Sequence, residues 1–275
     1  MEGMKVFGVM GGEGVAEHSL SPRIWNAVFR KRKINAVYGA FEVREKELAR
    51  AVEGIRTLGI SGVNITTPHK IKAVKFIDEI SPEVGRIGAV NTISNKNGIL
   101  RGFNTDASAL KRLLRNEKKG KVVILGAGGA ARAAAFAAAT AGEIIMANHT
   151  PSNAIEIIRK MGLSMNARAH VLNGLEAGIT DTDIVINCTP IGMYASGTPL
   201  EARLLSEDML VVDFAYVLGG ETRLIRDAKR RGCRTIDGKR LLMEQAMDAY
   251  GIFFGKKADR RAFSQAIKFA SKRVK

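Results

Sequence analysis

The sequence predicts a two-domain α/β fold on three observations. From Lys5 to Thr66, strand-like and helix-like apolar patterns alternate as a βαβαβ series. Further on, "KVVILGAGGAARAAAFAAATAGE" places a glycine-rich turn between an apolar strand and an alanine-rich helix. Beyond Asp237 two helical stretches, about Lys239 to Phe254 and Asp259 to Lys272, have no strands left to serve. They are predicted to return to the first domain.

In the first domain, strands are expected at Lys5 to Met10, Ala36 to Val43 and Ile60 to Thr66, with helices at Pro22 to Arg32 and Glu45 to Thr57. A further helix is expected near Pro68, because proline is tolerated in a first turn and the preceding threonine can cap. Ala89 to Ser94 and Gly98 to Phe103 read as a hairpin around the turn "NKNG". Asn104, Thr105 and Asp106 close it and open a helix from about Ala107 to Asn116. The polar segment Glu117 to Gly120 is the sharpest compositional break. Residues 1–106, with 239–275 folded back onto them, are assigned to one domain and 107–238 to the other.

The second domain is read as strands at Val122 to Leu125, Ile144 to Ala147, Ile184 to Asn187, Leu210 to Phe214 and Arg234 to Ile236, with helices at Ser152 to Met161 and Glu221 to Arg231. Gly126, Gly128 and Ala131 match GxGxxA, the signature of a Rossmann-like dinucleotide-binding unit. The first glycine permits the tight turn, the second lets the backbone approach a pyrophosphate, and the small third residue lets helix pack on strand. At the end of the next strand, "MANHT" lacks the carboxylate that would bond a ribose 2′-hydroxyl. Asn148, His149 and Thr150 either receive a 2′-phosphate, or Asn148 and Thr150 merely cap the following helix.

Composition narrows the partners. The chain has 275 residues, 46% of them apolar, and a formal charge of +16, which favours anionic ligands. Basic residues are dispersed in short clusters (Arg30 to Lys33, Lys118 to Lys121, Lys229 to Arg231, Lys272 to Lys275), and aromatic content is 6%. A nucleic-acid stacking platform is therefore not indicated. Two cysteines, Cys188 and Cys233, form no CxxC and no metal-like pattern, so neither disulfide framework nor metal site is expected. No stretch reads as a signal peptide or membrane span, and a soluble cytoplasmic protein is the expectation.

Short polar residues gather at the predicted strand ends: "EHSLSP", "NITTPHK", "AVNTI" and "GFNTD". A polyhydroxylated ligand needs many oriented donors and acceptors, which Ser19, Ser21, Asn64, Thr66, Asn91 and Asp106 could supply. Turns and caps favour the same residue types. Reduction of a carbonyl also needs a proton, and Lys70 and Asp106 each follow a strand end, where an aspartate could hold an ammonium in place. Taken singly, each fits a surface charge at a helix start better; set beside the polar strand ends, that reading weakens. His18 and His69 have no third ligand spaced for metal, and His170 is read as packing mid-strand.

In this order, "HSLSP", "NITTPHK", "AVNT", "NTD", "GAGGAAR", "NCTPIGM" and "EQA" closely resemble the shikimate dehydrogenase family, from Phe7 to about Phe254. The resemblance implies an N-terminal α/β substrate-binding domain and a Rossmann-like NADP-binding domain. It puts the catalytic lysine and aspartate on Lys70 and Asp106, and the substrate's carboxylate and hydroxyls against Ser19, Ser21, Asn64, Thr66, Asn91, Tyr216 and Gln245. Cofactor contacts fall on the Gly126 to Arg132 turn (Gly126, Ala127, Gly128, Gly129, Ala130), on Asn148, His149 and Thr150, and on Thr189, Met193 and Gly238. The implied reaction is reversible NADP-dependent reduction of 3-dehydroshikimate to shikimate, in aromatic amino-acid biosynthesis. NAD is not excluded, since His149 stands where the family commonly reads arginine. Ala107 replaces a usual glycine, and "VLGGET" follows Tyr216 in place of an Asn-Pro form. A dual quinate/shikimate enzyme is the related alternative, and a non-catalytic basic nucleic-acid-binding protein the remote one. A homodimer is compatible with either enzyme reading.

Overall fold

The computed structural model describes residues 3–173, 175–193 and 197–272, so the last three residues of the Lys272 to Lys275 cluster lie outside the described residues. It contains two compact units: Met1–Thr105 with Met243–Lys275, and Asp106–Leu242.

The first unit comprises β1 (Lys5–Gly11), α1 (Val15–His18), α2 (Ser21–Arg32), β2 (Ala36–Glu42), α3 (Leu48–Thr57), β3 (Gly62–Ile65), β4 (Glu79–Ile80), α4 (Pro82–Ile87), β5 (Thr92–Lys96) and β6 (Ile99–Phe103). Its sheet runs β2-β1-β3-β5-β6-β4. The strands are parallel from β2 to β3, antiparallel through β5 and β6, and parallel again at β4. The predicted hairpin turns at Asn97 and Gly98, with φ of 54° and 85°, the pair of positive values a type I′ turn requires. Its first strand starts at Thr92 rather than Ala89, because Asn104 and Thr105 engage Ala89 and Asn91 from across the turn.

The helix expected near Pro68 is not there. Residues 67–71 form a turn, followed by a 3₁₀ segment, Lys72–Phe76. The His69 N–H bonds back to Thr66 O at 3.0 Å, and Lys70 O accepts the N–H of Val90 at 2.9 Å. Tertiary pairing thus takes the carbonyl that an α-helical ladder would use. Conversely, α4 escaped the sequence reading although Ser81 caps it through Val84 N and Pro82 opens it.

The second unit begins with α5 (Thr105–Leu113) and continues through β7 (Lys121–Leu125), α6 (Gly129–Ala137), β8 (Glu143–Asn148), α7 (Pro151–Lys160), β9 (Ala167–Val171), β10 (Ile184–Asn187), β11 (Leu210–Asp213), α8 (Arg223–Arg230) and β12 (Arg234–Ile236). All six strands are parallel in the order β12-β11-β10-β7-β8-β9. Alternate residues feed two apolar layers: Val122, Ile124, Ile144, Met146 and Ile186 on one face, Val123, Leu125, Ile145 and Val185 on the other. Both faces are covered, as continuous apolar strands in a parallel sheet demand. The break expected at Glu117 to Gly120 falls inside this unit, because Leu110 of α5 and the adjoining Leu114 pack into its core. His170 is half-exposed on the sheet-edge strand β9 rather than packed, with its Nδ1 2.7 Å from Val171 O.

Two helices close the chain, α9 (Gly238–Phe254) and α10 (Arg260–Ala270). The unit boundary falls within α9, and everything after Leu242 belongs with the first sheet. Tyr250, Phe253 and Phe254 of α9 and Phe263 of α10 join Phe7, Trp25 and Phe29 in one aromatic cluster, with centroids 4.7 to 6.3 Å apart. Such pairs contribute about 0.5–1.5 kcal/mol each beyond area burial. Glu244, buried on α9, receives two bonds from Arg260, at 2.6 and 2.8 Å. Among the described residues no helix is long and apolar enough to cross a membrane.

Candidate active site

In the first unit the polar strand ends form one hydrogen-bonded chain. Tyr38 Oη donates to Asn64 Oδ1 (2.7 Å), and Asn64 Nδ2 to Thr92 Oγ1 (2.9 Å). Thr92 Oγ1 donates to Asn91 Oδ1 (3.1 Å), Asn91 Nδ2 to Thr105 Oγ1 (3.0 Å), and Thr105 Oγ1 to Gln245 Oε1 (3.1 Å). All members but Gln245 are buried. A fully connected network holds each amide, of Asn64, Asn91 and Gln245, in one orientation.

Close packing at the β1 terminus shapes the same region. A Cβ on Gly11 would stand 2.5 Å from Thr66 Cγ2, so only glycine lets Thr66 lie against β1. Thr66 is half-buried, its N–H bonded to Met10 O at 2.9 Å. Ser19 and Ser21 meet at the α1–α2 junction, where Ser21 N–H donates to Ser19 Oγ at 3.3 Å. Lys70 follows the turn after β3 and is half-buried. His69 beside it is fully buried and donates through Nε2 to Val43 O at 2.7 Å, which ties that turn to the end of β2.

In the second unit, Asp106 is buried in the first turn of α5, directly after Thr105. Gly126 follows β7 with φ +104°, and a Cβ there would press on Thr189 Cγ2 at 3.2 Å. Gly128 is exposed, and a Cβ on it would meet nothing. It is also the N-cap of α6, whose first N–H groups receive no side-chain cap. An open approach to uncapped helix N–H groups fits a dinucleotide pyrophosphate, with Ala127, Gly129 and Ala130 around it. Asn148 ends β8 and bonds Thr150 O through Nδ2 at 2.9 Å; His149 and Thr150 are exposed. Thr150 is the N-cap of α7 by position, but its hydroxyl makes no capping bond, so the capping alternative does not use up that side chain.

A buried lock orders the neighbouring loops. Asn187 Oδ1 accepts from the N–H and hydroxyl of Thr189 (3.0 and 2.7 Å), and its Nδ2 donates to Asp213 Oδ1 (2.8 Å). Asp213 also accepts from Ala215 N–H (2.9 Å) and from Thr222 Oγ1 (2.6 Å). Burial pushes its carboxyl above the usual range, against the pull of these donors. Thr189 and the turn to Met193 are thereby tied to the segment carrying Tyr216, which is half-buried. Gly238, buried at the start of α9, lies so close to Ala215 O that no side chain fits.

Sequence reasoning did not find Tyr38, Thr92, Thr105, Asp213 or Thr222. Only the apolar-strand position of Asp213 in "LVVDFAY" signalled anything, since a carboxylate ending a buried strand needs several donors.

Two family models match the chain: "Shikimate dehydrogenase substrate binding domain" over residues 10–93, and "Shikimate / quinate 5-dehydrogenase" over residues 108–216. A shikimate dehydrogenase (NADP(+)) of Thermococcus kodakarensis is 39% identical over 260 residues, covering 93% of each chain. A crystal structure of a shikimate dehydrogenase in complex with NADP+ superimposes with a TM-score of 0.86 at 36% identity, covering 98% of this chain and 96% of that one. Shikimate 5-dehydrogenase from Thermus thermophilus, in complex with NADP(H) and shikimate, gives 0.84 at 33% identity, covering 97% and 100%. The chain belongs to the shikimate dehydrogenase family.

Proposed function

We propose that the protein catalyses the reversible NADP-dependent reduction of 3-dehydroshikimate to shikimate, with Lys70 and Asp106 handling the proton at the reacting oxygen. The observation that carries this reading is the hydrogen-bonded chain from Tyr38 to Gln245, a preset array of amides and hydroxyls suited to a compact polyhydroxylated acid. Ser19, Ser21, Thr66 and Tyr216 complete the contacts to its carboxylate and hydroxyls. Bound NADPH supplies the hydride; Gly126 to Ala130 take its pyrophosphate, Asn148 to Thr150 its adenosine ribose, and Thr189, Met193 and Gly238 its nicotinamide end. Lys70 and Asp106 deliver a proton to the carbonyl oxygen as it becomes a hydroxyl, and take it back in the reverse direction.

The charge of +16 draws in an anionic acid and an anionic cofactor, and we read it that way rather than as a nucleic-acid footprint. We assign the enzyme to the reducing cytoplasm, in keeping with only two cysteines in the sequence and no CxxC pattern. The test is absorbance at the nicotinamide band with shikimate and either NADP+ or NAD+, with quinate in parallel. Reduced cofactor is expected with shikimate and NADP+. Silence with both nucleotides would overturn the reading.

A further inference from the structure

We propose that Arg132 is the cation that takes the 2′-phosphate of NADP(H) in this chain, in place of an arginine at position 149. The inference rests on the dinucleotide reading above and goes beyond it to a residue of α6.

Arg132 lies in the first turn of α6 and is 4% exposed. A buried guanidinium is costly unless its donors are engaged. Here one arm is: Nη2 donates to Glu156 Oε1 on α7 at 2.8 Å. Nε and Nη1 are buried and have no hydrogen-bond partner among the described residues. A tie that served only to join two helices would take both arms of the fork to the carboxylate, as Arg260 does with Glu244. Arg132 keeps two donors in reserve.

Their location follows from helix geometry. Long side chains lean back toward the N-terminus of their helix. Arg132 therefore reaches toward the Gly128 end of α6, and Glu156 back over Ser152 and Asn153 in the first turn of α7. The ion pair joins the N-terminal half of α6 to α7, the helix into which Asn148 to Thr150 lead directly. Neither helix is capped by a side chain at Gly128 or Thr150, so both dipoles present positive ends there. Two helix N-termini and a half-satisfied guanidinium call for a multiply charged anion with several acceptor oxygens. The 2′-phosphate is the group that distinguishes NADP from NAD at this end of the nucleotide. Exposed His149 offers an imidazole edge, whereas Arg132 offers the planar guanidinium fork that matches a phosphate. The Glu156 side chain is 58% exposed and free to turn into solvent, so it is a competitor that the phosphate displaces.

The experiment measures binding without turnover, by titrating 2′,5′-ADP and ADP into the wild type, Arg132→Lys and Glu156→Gln. Arg132→Lys is expected to weaken 2′,5′-ADP by about tenfold while leaving ADP within about twofold, because lysine cannot reproduce the fork. Glu156→Gln, a change at an exposed carboxylate, is expected to tighten 2′,5′-ADP several-fold with ADP unchanged, and it reports even if Arg132→Lys folds poorly. Equal effects on both nucleotides, or none from Glu156→Gln, would overturn the assignment and leave the dinucleotide reading standing. Failure of the wild type to bind either nucleotide would overturn both.

Discussion

The Tyr38 hydroxyl donates to Asn64 Oδ1 at 2.7 Å with both side chains buried, so an interior aromatic residue fixes the orientation of a strand-end amide. The ring of Tyr38 is itself held flat against Trp25, with centroids 5.4 Å apart and planes 5° from parallel. Rigidity thus passes from the aromatic core to Asn64, and through Thr92 and Asn91 to Gln245.

Tyr38→Phe keeps the ring packing and removes only the donor. The stranded Asn64 oxygen costs about 1–3 kcal/mol, the usual penalty for a buried acceptor left unmade. Thermal unfolding is expected a few degrees lower, and kcat/KM for shikimate is expected to fall chiefly through KM. An unchanged KM with a lowered melting temperature would show that the bond serves the fold alone.

The two glycines of the turn after β7 separate fold from cofactor. Gly126→Ala forces a side chain into φ +104° against Thr189 and is expected to destabilise the protein whether or not nucleotide is present. Gly128→Ala meets no atom of the chain and has ordinary extended backbone, so its melting temperature should match wild type while NADP+ affinity drops. Differential scanning calorimetry with and without NADP+ distinguishes the two.

Asp213 gives the protein a pH signature. Its folded pKa is raised above the ordinary 3.8, chiefly by burial, so its stabilising contribution is complete below about pH 4 and is lost as pH rises through the raised value. Asn at this position keeps an oxygen for Asn187 and Ala215 and offers an N–H₂ to Thr222. The melting temperature of Asp213→Asn relative to wild type is therefore expected to improve from pH 4 to pH 7. A difference that stays constant across that range would contradict the assignment.

How far the sequence was readable depended on whether a feature was local. The β7–turn–α6 unit was legible because strand, glycines and alanine helix are contiguous, and Asn64 and Asn91 stood out as amides at the ends of apolar runs. Their partners did not: Tyr38 lies mid-strand in β2, and Thr105 reaches Gln245 across 140 positions. Asn187, Asp213 and Thr222 look unrelated until parallel pairing sets β10 beside β11. The helix expected at Pro68 failed for the same reason, since no local pattern shows that Lys70 O is promised to Val90 N–H. Arg132 read as the tail of a glycine motif, and only burial revealed its idle donors.

The most direct test of the account is turnover of shikimate with NADP+ by Lys70→Ala, with shikimate affinity and melting temperature measured on the same sample. The account predicts a loss in kcat of at least about a hundredfold, the lower range for general acid–base catalysis, with folding and binding largely retained. Near-normal kcat in a folded, substrate-binding variant would contradict the role given to Lys70.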